Sequence, residues 1–162
     1  LDVDLVQREL EKRGHDKTLA RQAAHFSEGS LGLAINWIKD GVIEPAMELL
    51  DRMNCIVAGK PPADMPEWFK KAADAYAEKQ LIRDKNASKT QAMRDGLLLY
   101  LHLAGGHLRK RLIDLTDPDA LERTCGGIDA LVRAEKYINA NVTISLVFQE
   151  LSVSLDEQFC AK

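Results

Sequence analysis

Apolar positions recur along almost the whole chain at intervals of three and four, the spacing that lines one face of an α-helix. No segment alternates apolar and polar residues between turn signals as a half-buried strand does, so the pattern predicts an all-α protein. Residues 1–40 divide into three short helices. The first carries Leu5, Val6 and Leu10 and stops near Gly14; the second carries Leu19, Ala20, Ala23 and Ala24 and stops at Gly29. The third starts at Ser30 with Leu31, Ala34, Ile35 and Ile38 on one stripe and ends before Gly41.

Beyond Gly41 the predicted helices lengthen. One carries Ile43, Ala46, Met47, Leu50, Met53 and Val57 and ends before Gly59-Lys60-Pro61-Pro62, because proline has no N–H to continue the ladder. The next opens near Pro66, with Met65, Phe69, Ala72, Ala73 and Tyr76 facing inward. Ser88 is placed to cap a long helix whose inward set is Met93, Leu97, Tyr100, Leu101, Ala104, Leu108 and Leu112, locally weakened by Gly96, Gly105 and Gly106. Thr116-Asp117-Pro118 opens another, with Leu121, Cys125, Ile128, Leu131 and Val132 on one face and Gly126-Gly127 suited to close helix packing. Asn141 is read as the cap of a final helix bearing Ile144, Val147, Phe148, Leu151 and Leu155. The expected organisation is a three-helix unit over residues 1–40 and a five-helix bundle over 41–162.

Composition narrows the function classes. With 162 residues, 46% hydrophobic and 29% charged, the chain has the balance of a folded globular protein, and no run approaches the length of a membrane span. A formal net charge of −3 argues against a dedicated nucleic-acid module, whose footprint is usually clearly basic. Cys55, Cys125 and Cys160 form no close pair, which removes the usual zinc spacings and a disulfide framework and points to a reducing, cytoplasmic setting. The Asn86 and Asn141 N-x-S/T triplets read as helix entries rather than glycan acceptors. Leu1 in place of a methionine, with an amphipathic pattern beginning almost at once, reads as a segment of a longer chain.

Catalytic motifs are missing from the sequence. Gly29-Ser30-Leu31-Gly32 follows a helix and lacks the lysine of a phosphate loop, and His102 and His107 are five apart rather than the four of a helical metal pair. Asp114, Asp117 and Asp119 stand where capping carboxylates precede a helix. We therefore expect no catalytic residue, no metal site and no cofactor. Basic residues gather at Lys79, Arg83, Lys85, Lys89 and Arg94 and again at Arg109-Lys110-Arg111. They read first as a solvated face and second as a surface for phosphates or an acidic partner. Trp37 and Trp68 read as core edges.

Two stretches carry a family resemblance. Ala20-Arg21-Gln22-Ala23-Ala24-His25-Phe26-Ser27-Glu28-Gly29-Ser30-Leu31-Gly32-Leu33-Ala34 resembles the lid of AAA+ clamp loaders, where an alanine-rich helix runs into a Gly-Ser turn that begins the next helix. Ala134-Glu135-Lys136-Tyr137-Ile138-Asn139-Ala140-Asn141-Val142-Thr143-Ile144-Ser145-Leu146 is similar to the end of bacterial clamp-loader subunits, where an asparagine opens the last collar helix. The resemblance covers essentially the whole chain and implies a lid over 1–40 and an oligomerising collar over 41–162, with Gly41 as the hinge between them. In ATP-competent members an arginine follows the Gly-Ser-x element and reaches the γ-phosphate; Gly32 stands at that position and has no cation to offer. The chain accordingly resembles the delta-prime-type branch, which does not hydrolyse ATP, more than the gamma/tau-type ATPases. That implies gamma/tau and delta subunits as partners through the collar, DNA contact only through the whole complex, and no membrane. A helical nucleic-acid module using the two basic stretches is the rival reading.

Overall fold

The computed structural model describes residues 1–160 and is helical throughout, with no strand among them. Eight helices follow in order: α1 (Val3–Lys12), α2 (Lys17–Phe26), α3 (Leu31–Lys39), α4 (Ile43–Val57), α5 (Met65–Arg83), α6 (Lys89–Leu112), α7 (Pro118–Asn139) and α8 (Ile144–Phe159). Three helices of nine or ten residues thus precede five of fifteen to twenty-four. The chain forms two compact units, residues 1–47 and 48–162.

In the first unit α1 packs on α2 and both meet α3. Side-chain carboxylates and hydroxyls satisfy the amides that each helix start leaves without a partner. Asp2 accepts from the Asp4 amide, Asp16 from the Leu19 amide at 3.0 Å and Ser30 from the Leu33 amide at 3.4 Å. Gly14, Gly29 and Gly41, at φ +90°, +85° and +69°, end the three helices in the left-handed region that glycine enters without strain. Val6, Leu10, Ala20, Ala23, Ala24 and Ala34 are wholly buried. In α3 the buried residues are Ala34 and Trp37, while Leu31, Ile35 and Ile38 are half-buried. The stripe is rotated from the expected one because the indole, the largest apolar group on the helix, faces inward.

In the second unit α5 packs on α6, α6 on α7, α7 on α8, and α8 back on α5. Gln158 beside Gly126, Phe159 beside Gly127, and Arg133 with Glu150 run in opposite chain directions, so α7 and α8 are antiparallel. The centre is filled by Tyr100, Phe69, Phe148, Leu97, Leu101, Leu108 and Leu131, with the Phe69 and Phe148 rings stacked at 4.8 Å. Gly127 has the close-packing role expected of it: a Cβ there would stand 2.7 Å from the Phe159 ring and 3.2 Å from Leu108.

Further expectations are corrected. In α4 the buried line is Ile43, Ala46, Leu49, Met53 and Ile56, while Met47, Leu50 and Val57 are half-buried. Cys125 is exposed, because the buried line of α7 is Thr124, Gly127, Ala130, Leu131, Ala134 and Ile138, and the small and polar members of that line carry no hydropathic signal. Asn141 is not the cap of α8, whose cap position is Thr143. It adopts φ +60° just beyond α7, and the Val142 amide bonds back to the Tyr137 carbonyl at 3.0 Å, so it closes the preceding helix in a Schellman-type turn. Ser88 and Asp117 do cap α6 and α7, accepting from the Gln91 amide at 3.3 Å and the Ala120 amide at 2.9 Å.

Candidate functional site

Gly32 lies in the first turn of α3, exposed, and a Cβ added there meets nothing within 4 Å. Its surroundings therefore leave room for a Cβ, and the want of a cation there is a matter of sequence. Gly41 follows α3 at the point where the chain turns into α4 and lies inside the first unit, also with open space at its Cβ position.

The two basic stretches lie at opposite ends of α6. Lys79 and Arg83 close α5, Lys85 sits in the connection and Lys89 opens α6, while Arg109, Lys110 and Arg111 form the last turn of α6. At 1.5 Å rise per residue, the twenty positions from Lys89 to Arg109 span about 30 Å. Lys89 is ion-paired to Asp74 at 3.4 Å and Arg94 is half-buried. The guanidinium of Arg109 folds back over Gly105, 3.2 Å from where a Cβ would stand. The last-turn cluster offsets the negative end of the longest helix.

Among the histidines, His107 has a defined polar setting. Its Nε2 lies 2.8 Å from Asn54 Oδ1, which brings α6 to α4. Burial, with Arg111 and Lys110 adding to it, holds its pKa below the ordinary 6.5. A second polar cluster centres on Arg52, which donates to both Asp64 oxygens at 2.7 and 3.1 Å, reaches Glu48 at 3.2 Å and lies 5.6 Å from the Trp68 ring centroid. The two hydrogen bonds from Arg52 hold the Asp64 carboxyl below the usual carboxylate range. Among the described residues no group of three or more His, Cys, Asp or Glu is placed to hold a metal, and no helix is long and apolar enough to cross a membrane.

One concavity escaped the sequence reading. A half-open groove of about 510 Å³ lies between the loop after α4, the start of α5 and the outer side of α8. Phe69, Phe148, Leu151 and Leu155 form its apolar floor, Pro61, Pro62 and Pro66 one wall, and Gln149, Ser152, Val153 and Asp156 the other. The prolines signalled a helix break; the way the loop folds back against α8 is a long-range fact that no local pattern carries.

The chain matches no protein family, no curated protein and no solved structure. The class that the architecture defines is an all-helical protein of two units.

Proposed function

We propose that this chain is the lid and collar portion of a clamp-loader subunit of the delta-prime type. It would act as a non-catalytic scaffold that assembles with ATP-hydrolysing subunits, so that the complex loads a sliding clamp on primed DNA in the cytoplasm. The observation that carries the reading is the exposed Gly32 at the start of α3, following the alanine-rich α2 and its Gly29-Ser30 turn. A lid at that place without a cation cannot contact a γ-phosphate, which separates this reading from a gamma/tau-type ATPase. The order of three short helices and then five long ones supports the same reading. A collar is built from long helices packed into a bundle, and α5 to α8 have that length and pack on one another.

Native mass measured on the chain alone and on its mixture with an ATP-competent clamp-loader subunit tests the reading. The expected result is a mixed complex, with no ATP binding by the chain alone. A mixture in which both proteins keep their own masses, or ATP binding by the isolated chain, overturns it.

A further inference from the structure

The groove beside α8 has an electrostatic asymmetry. Its end near Ile56 and Asp156 is where α4 and α8 both terminate: Ile56 is the last residue but one of α4, and Asp156 lies in the last turn of α8. The two ends meet, since a Cβ on Gly59, just past α4, would lie 3.4 Å from the Phe159 carbonyl oxygen. A helix C-terminus carries a partial negative charge that a lysine, arginine or histidine in the last turn normally offsets. α1, α2, α3, α5, α6 and α7 each have one; α4 and α8 have none. The first cation after α4 is Lys60, beyond the Gly59 turn. Two helix ends without a basic residue in the last turn and the Asp156 carboxylate thus come together, among the described residues, at one end of a mainly apolar groove. Burial and that carboxylate also push the Cys160 thiol up.

The apolar surface continues past the groove. Val153, on its wall, and Leu146, two turns earlier on α8, are each 57% exposed. A small molecule filling the groove would leave Leu146 bare, whereas a helix laid along α8 covers both leucine and valine.

We propose that this surface docks an amphipathic helix of a partner protein, its apolar face in the groove and along Leu146 and Val153, and a lysine or arginine at one end against Asp156 and the converging carbonyl ends of α4 and α8. The proposal does not rest on the clamp-loader reading. Helix-in-groove recognition takes its affinity from apolar anchors at i, i+4 and i+7 and its orientation from charge, and both elements are present.

The test uses fluorescence anisotropy of two synthetic helices that share leucines at that spacing, one ending in two arginines and the other in two glutamates, titrated with the whole chain. The arginine helix is expected to bind roughly tenfold or more tighter than the glutamate helix. Asp156→Lys should abolish or reverse that preference, and Val153→Glu with Leu146→Glu should weaken both. All three positions are on the surface, and circular dichroism checks that the variants stay helical. Failure of both helices to bind, equal binding of the two, or binding untouched by Asp156→Lys overturns the proposal. So does self-association of the chain that Val153→Glu disrupts, which would make a second copy the occupant.

Discussion

His107 donates from Nε2 to the Asn54 side-chain oxygen at 2.8 Å, joining two helices across 53 positions of chain. Around the ring stand Arg111 and Lys110, both cations that disfavour a second positive charge, and burial disfavours it further. The folded state therefore holds the ring's proton less tightly than the unfolded chain, so the unfolded state binds more protons as pH falls through 6.5. Stability contributed by neutral His107 is present above that value and is lost below it. Urea midpoints measured between pH 5 and 8 should fall on the acid side, and His107→Gln, which keeps a donor but cannot titrate, should flatten that part of the profile. An unchanged slope in the variant would assign the acid loss to other groups.

Glycines in α6 make opposite predictions. A Cβ on Gly96 would lie 3.1 Å from the Ala73 Cα and 3.2 Å from its carbonyl oxygen, backbone atoms of α5 that cannot rotate aside. Gly96→Ala should therefore destabilise by about 1–2 kcal/mol, the overpacking cost exceeding the helix-propensity gain. Gly106 meets only the Arg109 guanidinium at 4.0 Å, so Gly106→Ala should stabilise by up to about 1 kcal/mol through propensity alone. Thermal or urea unfolding of the pair checks both signs at once.

Those two glycines look alike in the sequence, which locates the limit of reading it. Local punctuation was legible: Gly14, Gly29 and Gly41 end helices, and Ser30, Ser88 and Asp117 start them, because caps and left-handed turns are decided within a few residues. Asn141 misled because asparagine suits both a helix start and a left-handed C-terminal turn, and only the bond from Val142 to Tyr137 separates the two. On α7 the face was misplaced because Thr124, Gly127 and Ala130 are buried without being strongly hydrophobic. The two basic stretches are separate in the sequence, and α6 keeps their nearest members, Arg94 and Arg109, about 22 Å apart along its axis. The His107–Asn54 bond and the groove against α8 depend on tertiary packing and leave no local trace.

Arg52 ties the end of the α4–α5 loop to α4 through a bidentate pair with Asp64, a bond to Glu48 and the face of Trp68. Its guanidinium is the geometry that serves all three partners, and an ammonium cannot donate in parallel to both carboxylate oxygens. Arg52→Ala should cost about 1–2 kcal/mol in unfolding experiments, and Arg52→Lys should recover less than half of it. Because Asp64 titrates below its ordinary 3.8, the pair's contribution holds above that value and disappears only as pH falls through the lowered pKa. Full recovery by lysine would show that charge alone, without the fork or the stacking, accounts for the contact.

Gly32 separates structural from functional constraint. Its Cβ position is open and exposed in the first turn of α3, and arginine is a better helix former than glycine, so Gly32→Arg should leave the fold intact and raise stability by a few tenths to about 1 kcal/mol. The same substitution puts a guanidinium where the clamp-loader reading requires one for a γ-phosphate. In the isolated chain it should produce no ATP binding, because a single lid cation is not a nucleotide site. In a complete subunit carrying its own nucleotide-binding module, as that reading requires, the variant should bind ATP more tightly than the parent, by titration with a fluorescent analogue. A variant that unfolds would refute the open environment of Gly32. A stable variant with no gain in nucleotide affinity in the complete subunit would remove Gly32 as the feature that sets this chain apart from an ATP-binding lid.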